Sequence, residues 1–208
     1  MPLSTSETDV TRRLMGFLSL SATRALAKGT ILIPDPGSVL VSPDVVLGDG
    51  IILWPNTILQ AMDGGSIRID AGTNLFPGTR LVAAGGQIRI GAQAEIGEEG
   101  GFTIKVGKEE VADIGAGARL LGNGSLIGPN SIGRGAQILG PIRCQNCRLG
   151  DGGTYRDPEP DARGGVLKGS GVARNIDVPA GHVIQAFGLF SEGTLRPQSY
   201  FHPPQSGQ

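Results

Sequence analysis

A chain of 208 residues suits one domain, or one domain with small appendages. Its 35 glycines and 14 prolines, beside 4% aromatics, would fit collagen or a disordered chain, but no strict Gly-X-Y period runs and short Ile/Leu/Val runs recur; what remains is many short strands joined by tight turns over an aliphatic core. A formal net charge of −1 with no basic run gives no pull toward nucleic acid or an anionic membrane surface, and no apolar stretch of the roughly 18 residues that a membrane span needs is present.

The first ten residues, MPLSTSETDV, lack a basic region followed by an apolar one, so the expected location is cytoplasmic. The two cysteines are then expected as free thiols. Residues 6–28 are predicted as one helix, with a capping-box-like start at Ser6 and Asp9 and a stop at Gly29. Val10, Leu14, Phe17, Leu18, Ala22, Ala25 and Leu26 fall on one helical face, while Arg12, Arg13 and Arg24 lie off it. Such a helix packs on the domain or on a partner subunit.

From Leu47 the period changes. Aliphatic residues recur every six positions, with breaks: Leu47, Leu53, Leu59; Ile69, Leu75, Leu81; Ile90, Ile96; then Ile114, Leu120, Leu126, Ile132, Ile138. Four positions after many of them stands a small residue: Thr57, Thr73, Thr79, Ala94, Ala118, Ala136. The aliphatic residue points into a narrow prism, the small one fills a corner with little volume, and Gly, Asn and Asp supply the turns. Three such hexads make a coil of about 18 residues, and coils stack at about 4.8 Å. The segments Gly64-Gly65-Ser66-Ile67-Arg68-Ile69 and Gly85-Gly86-Gln87-Ile88-Arg89-Ile90 predict one coil enlarged by extra turn residues at a corner, with Ile67 and Ile69 over Ile88 and Ile90. Residues 106–113 (VGKEEVAD) and 152–165 (GGTYRDPEPDARGG) interrupt the register. The tail after Gln198 is expected to be disordered or to lie on a neighbour.

These hexads resemble the hexapeptide-repeat superfamily. The resemblance covers residues 40–188 and implies an all-β fold: a left-handed parallel β-helix of about seven coils, preceded by an N-terminal α-helix and lead-in (1–39) and followed by a C-terminal tail (189–208). It also implies a homotrimer. Outward apolar residues such as Ile52, Ile58, Leu121 and Ile127 are consistent with paired faces. The superfamily is mostly acyltransferases, so an acyl group carried by acetyl-CoA, another acyl-CoA or an acyl carrier, and a small-molecule or sugar-nucleotide acceptor held in a groove between subunits, are the implied substrates. The alternative is a non-catalytic scaffold or assembly subunit, or an orphan relative of the β-helical tail of sugar nucleotidyltransferases.

The segment GSGVARNIDVPAGHVIQAFG (Gly169–Gly188) is similar to the closing coil of the acyltransferases, but Gln185-Ala186-Phe187-Gly188 stands where they continue into a Gly-x-Pro-Ala turn. Those enzymes use a histidine as general base, which suits a group titrating near neutrality. Of the two histidines, His182 lies in the closing coil, in a small-residue slot, and is the candidate base; His202 lies in the tail. The charged 152–165 loop offers Tyr155, Arg156 and Arg163 to a phosphate or carboxylate, and Asp157 or Glu159 as a substitute base. Two histidines do not make a three-histidine zinc centre, and the lone pair Cys144/Cys147 lacks the second ligand pair of a structural site, so no metal is expected. Cys144 falls in an aliphatic slot and reads as a buried thiol.

Overall fold

A computed structural model describes residues 5–27 and 29–202. From Leu40 onward the chain visits three faces in turn, and each strand pairs in parallel with the strand one coil earlier. The first face begins Leu40–Val41, Ile58–Met62, Arg80–Ala84; the second Ile52–Leu53, Asn74–Leu75, Glu95–Ile96; the third Val45–Leu47, Ser66–Ile69, Gln87–Ile90. The third face is a seven-stranded parallel sheet. The first and second faces are joined because one long strand, Val166–Arg174, pairs with Gln137–Leu139 on the second and with Ile142–Gln145 on the first. The result is a β-helix-like stack of curled parallel sheets.

The six-residue period is the burial pattern. Leu53, Leu59, Leu75, Leu81, Ile96, Leu120, Leu126 and Ile138 are wholly buried, and so are the corner residues Thr57, Thr73, Thr79, Ala94, Ala118 and Ala136. A buried threonine needs a partner for its hydroxyl; Thr79 Oγ1 donates to the Ile96 carbonyl (2.9 Å) and Thr57 Oγ1 to the Trp54 carbonyl (2.7 Å). The duplicated segment stacks as expected, Ile67 on Ile88 and Ile69 on Ile90, with Ser66 paired to Gln87. Gly64 and Gly85 both take the left-handed backbone (φ +78° and +75°). A Cβ on Gly65 or Gly86 would strike the Ala83 or Gly107 carbonyl, so only glycine fits those turns. The 106–113 interruption narrows to the turn at 107–110, where Glu110 Oε2 accepts from the Gly107 N–H (2.6 Å); Val106 and Val111–Ile114 stay in strands.

The N-terminal region departs from the expected single helix. Two helices form, α1 (Thr5–Leu14) and α2 (Leu20–Leu26), separated by Gly16 at φ +80°. Lys28 and the side chain of Ser6, the expected cap, lie outside the described residues. Asp9 does not cap its own helix: its Oδ1 accepts from the Leu20 N–H (2.6 Å), and Ser19 caps α2 by accepting from the Ala22 N–H. The break turns the expected faces. Arg12, expected off the packed stripe, is buried; its guanidinium donates to the carbonyls of Gly37 (2.6 Å), Val39 and Pro36 and to Thr23 Oγ1. Leu14, expected on the packed stripe, is 83% exposed. Five donors in a rigid fork can satisfy several lead-in carbonyls at once, which no aliphatic residue can.

Candidate functional site

Copying is interrupted after Leu149. Arg119 pairs with Gln137, one regular coil later, whereas Arg148 pairs with Asp177 only after a much longer excursion. The excess is the 152–165 loop. Its base is closed by a bridge between Gly153 and Arg163, with the Gly153 N–H donating to Ala162 (2.8 Å) and Gly164 to Gly153 (3.0 Å). Inside it, Arg163 donates through Nε and Nη2 to the Asp157 carbonyl (2.8 and 2.6 Å), and Asp157 Oδ1 accepts from the Glu159 N–H (3.0 Å). The loop lies on the second face. The Arg119 guanidinium sits 4.0 Å from the Tyr155 ring centroid and that of Arg156 4.9 Å. Arg119 is itself fixed by Glu95 (2.8 Å) and Glu98 (3.3 Å), so the tyrosine rests on an anchored cation.

The segment 195–202 folds back onto this loop, whereas the tail after Gln198 is expected from the sequence to be disordered or to lie on a neighbour. Leu195–Pro197 runs antiparallel to His182–Ile184, and a short 3₁₀ turn, Gln198–Tyr200, follows. Gln198 is buried, and its Nε2 donates to the Gly164 carbonyl (2.7 Å). The Ser199 N–H donates to Asp161 Oδ1 (2.8 Å). Both partners belong to the loop. The Ser199 amide and hydroxyl hold the Asp161 carboxyl below the usual aspartate range, with a smaller contribution from the charge of His182. Residues 203–208 lie outside the described residues.

Between loop, second face and chain end lies a cleft of about 260 Å³. Ile138 and Leu167 point inward and are fully buried, so strand alternation turns Gln137, Leu139, Val166 and Lys168 outward into it. Tyr155 and Arg163 come from the loop; Gln198, Phe201 and His202 come from the chain end. Two of the three expected binding residues therefore meet here, Tyr155 and Arg163. Arg156 does not line the cleft; it packs on Tyr155 and lies 3.9 Å from Glu95. Asp157 and Glu159 are in the loop but not on the cleft wall. His182 is half-buried, at the end of the small-residue column, and its Nδ1 is 2.8 Å from the Ala180 carbonyl; it does not line the cleft either. His202 does. Nothing periodic marks it in the sequence, because it arrives through contacts between segments far apart along the chain, Gln198 with Gly164 and Ser199 with Asp161.

A shallower groove of about 400 Å³ adjoins the cleft, sharing Leu139 and Lys168 and continuing over Leu121, Gly140, Gly169 and Phe187. Where the acyltransferases turn, this chain continues as the strand His182–Leu189, leaving Phe187 78% exposed on the groove. The cysteines are both buried and form no disulfide, Cys144 stacked between Leu126 and Ala173. The two thiols lie close enough to interact: Cys144 draws Cys147 down to about 7, while Cys147 and burial push Cys144 well up. Among the described residues no three His, Cys, Asp or Glu side chains cluster as a metal site, and no helix is long and apolar enough to cross a membrane.

Neither a known protein family nor any curated protein matches the chain in sequence. Among solved structures it is similar to PerB from Caulobacter crescentus in complex with CoA and GDP-perosamine, at 13% identity and a TM-score of 0.33, over 91% of this chain and 66% of that one. It is also similar to a mutant GDP-perosamine N-acetyltransferase from Caulobacter crescentus in complex with the same two molecules, at 14% identity and a TM-score of 0.27, over 91% of this chain and 65% of that one. The chain thus spans just under two thirds of the length of each.

Proposed function

We propose that the protein is a hexapeptide-repeat acyltransferase, coiled left-handed and working as a cytoplasmic homotrimer, which moves an acyl group from acetyl-CoA or a related thioester to a small-molecule or sugar-nucleotide acceptor. The observation that carries this reading is the second-face cleft, where an imidazole (His202) meets Tyr155, Arg163 and Lys168 beside an open, largely apolar groove. The cleft is smaller than a typical site for a drug-sized ligand, so it fits the acceptor, or the reactive part of it. The groove over Leu121, Leu139 and Phe187 fits an extended thioester arm, and Lys168 stands at the junction of the two.

A bound thioester supplies an activated acyl carbon. His202 accepts the proton of the acceptor hydroxyl or amine as that atom attacks, and returns it to the departing thiolate. Tyr155 and Arg163 hold the acceptor, and Arg119 and Asp157 hold Tyr155 and Arg163. His182, Asp157 and Glu159 are the bases that this assignment displaces, each being outside the cleft wall. A scaffold or assembly role is the second reading; Phe187 and Leu189, exposed at the closing end of the stack, are the surface that a partner would cover. Thermal unfolding in the presence of acetyl-CoA separates the two. At a hundredfold excess over its dissociation constant it stabilises a binding protein by about 2.7 kcal/mol. An unmoved melting temperature up to about 1 mM would overturn the acyltransferase reading.

A further inference from the structure

The charges lining the cleft are one-sided. Arg163 and Lys168 are both there, and no Asp or Glu shares the lining. Neither forms a salt bridge among the described residues. Arg163 spends Nε and one N–H of Nη2 on the Asp157 carbonyl, a neutral partner that orients the guanidinium and leaves its charge uncompensated.

The floor of the cleft adds an independent observation. Gln137 is only 6% exposed, yet its carboxamide takes no hydrogen bond from any described residue, although its strand turns it outward into the cleft. What access its polar atoms keep is through the cleft, since no fully enclosed side-chain nitrogen or oxygen among the described residues lacks a partner. A neighbouring buried amide behaves differently: Gln198 is bonded to Gly164. A carboxamide largely withdrawn from bulk water without a partner is costly unless something supplies one. It offers two donors and an acceptor, so its complement carries both kinds of group.

We propose that this cleft is a specificity site for a small anionic acceptor: a phosphate or carboxylate held between Lys168 and Arg163, with a neighbouring hydroxyl or amine read by Gln137. The inference rests on the cleft being the acceptor end of the proposed acyltransferase. It makes Gln137 a residue that selects the acceptor and not one that activates it. A neutral sugar of equal size would offer the two cations no counter-charge, and would bind less tightly.

The test is calorimetric binding of three probes to the full chain at low salt: glucose 1-phosphate, gluconate and glucose. At least one of the anions is expected to bind about tenfold or more tightly than glucose, the worth of one charge-assisted hydrogen bond. Preference for glucose 1-phosphate identifies a phosphorylated acceptor, and preference for gluconate a carboxylic acid. Lys168→Met, which keeps the stem, and Gln137→Leu, which keeps the volume, should each weaken the anion about fivefold or more without lowering the melting temperature. Arg163 is left intact because it also closes the loop. Equal binding of glucose and the anions, no binding of any probe up to about 10 mM, or wild-type affinity in both variants would overturn the proposal. Anion binding without acyl transfer from acetyl-CoA would sink the acyltransferase reading and leave the site standing; acyl transfer with no preference for anions would do the reverse.

Discussion

In residues 40–149 every coil meets its neighbours through the same contact made again, Leu75 on Ile96, Ile96 on Leu120, Leu120 on Ile138. In the loop 152–165 and the returning segment 195–202 each contact is made once: Arg163 to Asp157, Gln198 to Gly164, Ser199 to Asp161, Tyr155 on Arg119. The first region is held by apolar area that many residues share, the second by a few directional polar bonds. Mutation in the first should lower stability and leave chemistry intact in whatever remains folded. Mutation in the second should do the opposite.

The largest expected effect is on turnover. His202→Ala removes the proposed base and should lower kcat by about 10²–10⁴-fold, with the melting temperature unmoved because His202 is an exposed residue. His182→Ala is the paired measurement. If that variant loses turnover and His202→Ala keeps it, the base belongs to the closing coil and the cleft has been assigned the wrong role.

Next in size is a core column. Leu120 is fully buried between Ile96 and Ile138, so Leu120→Ala should cost about 2–5 kcal/mol in chemical denaturation. Activity per folded molecule should survive. Loss of activity well below the unfolding midpoint would mean that the coils and the closing region are coupled, and that the contrast between them is false.

The same contrast explains what could be read from the sequence. The buried columns were legible residue by residue, because a slot that must be small or aliphatic in one coil must be so in the next; Ile67 over Ile88 is that rule applied once. Tyr155 and Arg163 were legible as members of a charged insertion, though not where that insertion would lie. His202 was not legible, since polar ties between distant segments leave no period. Arg12 was misread for a related reason. Helical periodicity assigns faces only while the helix continues, and Gly16 followed by the cap Ser19 ends it, reorienting the arginine into the lead-in carbonyls. The Gly16 and Ser19 signals stood in the sequence and outweigh the apolar stripe.

A smaller effect is expected from loosening the chain end. Gln198→Ala deletes the bond to Gly164 and leaves a buried carbonyl without its donor, a cost of about 1–3 kcal/mol that falls on docking of the tail more than on the stack. Chymotrypsin reads this directly at Tyr200 and Phe201. Cleavage there should rise about fivefold or more while the stack stays resistant. Unchanged cleavage would mean that the turn is held by Tyr200 against Arg196, 4.2 Å apart, and not by its tie to the loop.

The smallest effect is a pH dependence confined to the same place. Asp161 accepts from Ser199 more strongly as an anion, and its folded pKa lies below the usual value. For a depressed carboxyl, the stabilisation is fully present above the unfolded pKa, about 3.9, and is lost as pH falls through the folded value. Among the described residues no Asp or Glu is a buried side chain of the stack, so its columns carry no such term. The Ser199 amide resonance should therefore titrate with a midpoint below about 3.9, ahead of any change in amides of the coils, and Asp161→Asn should abolish that titration. A midpoint at or above the usual value would show that Asp161 does not hold the tail in solution, and the cleft wall that carries His202 would then need another anchor.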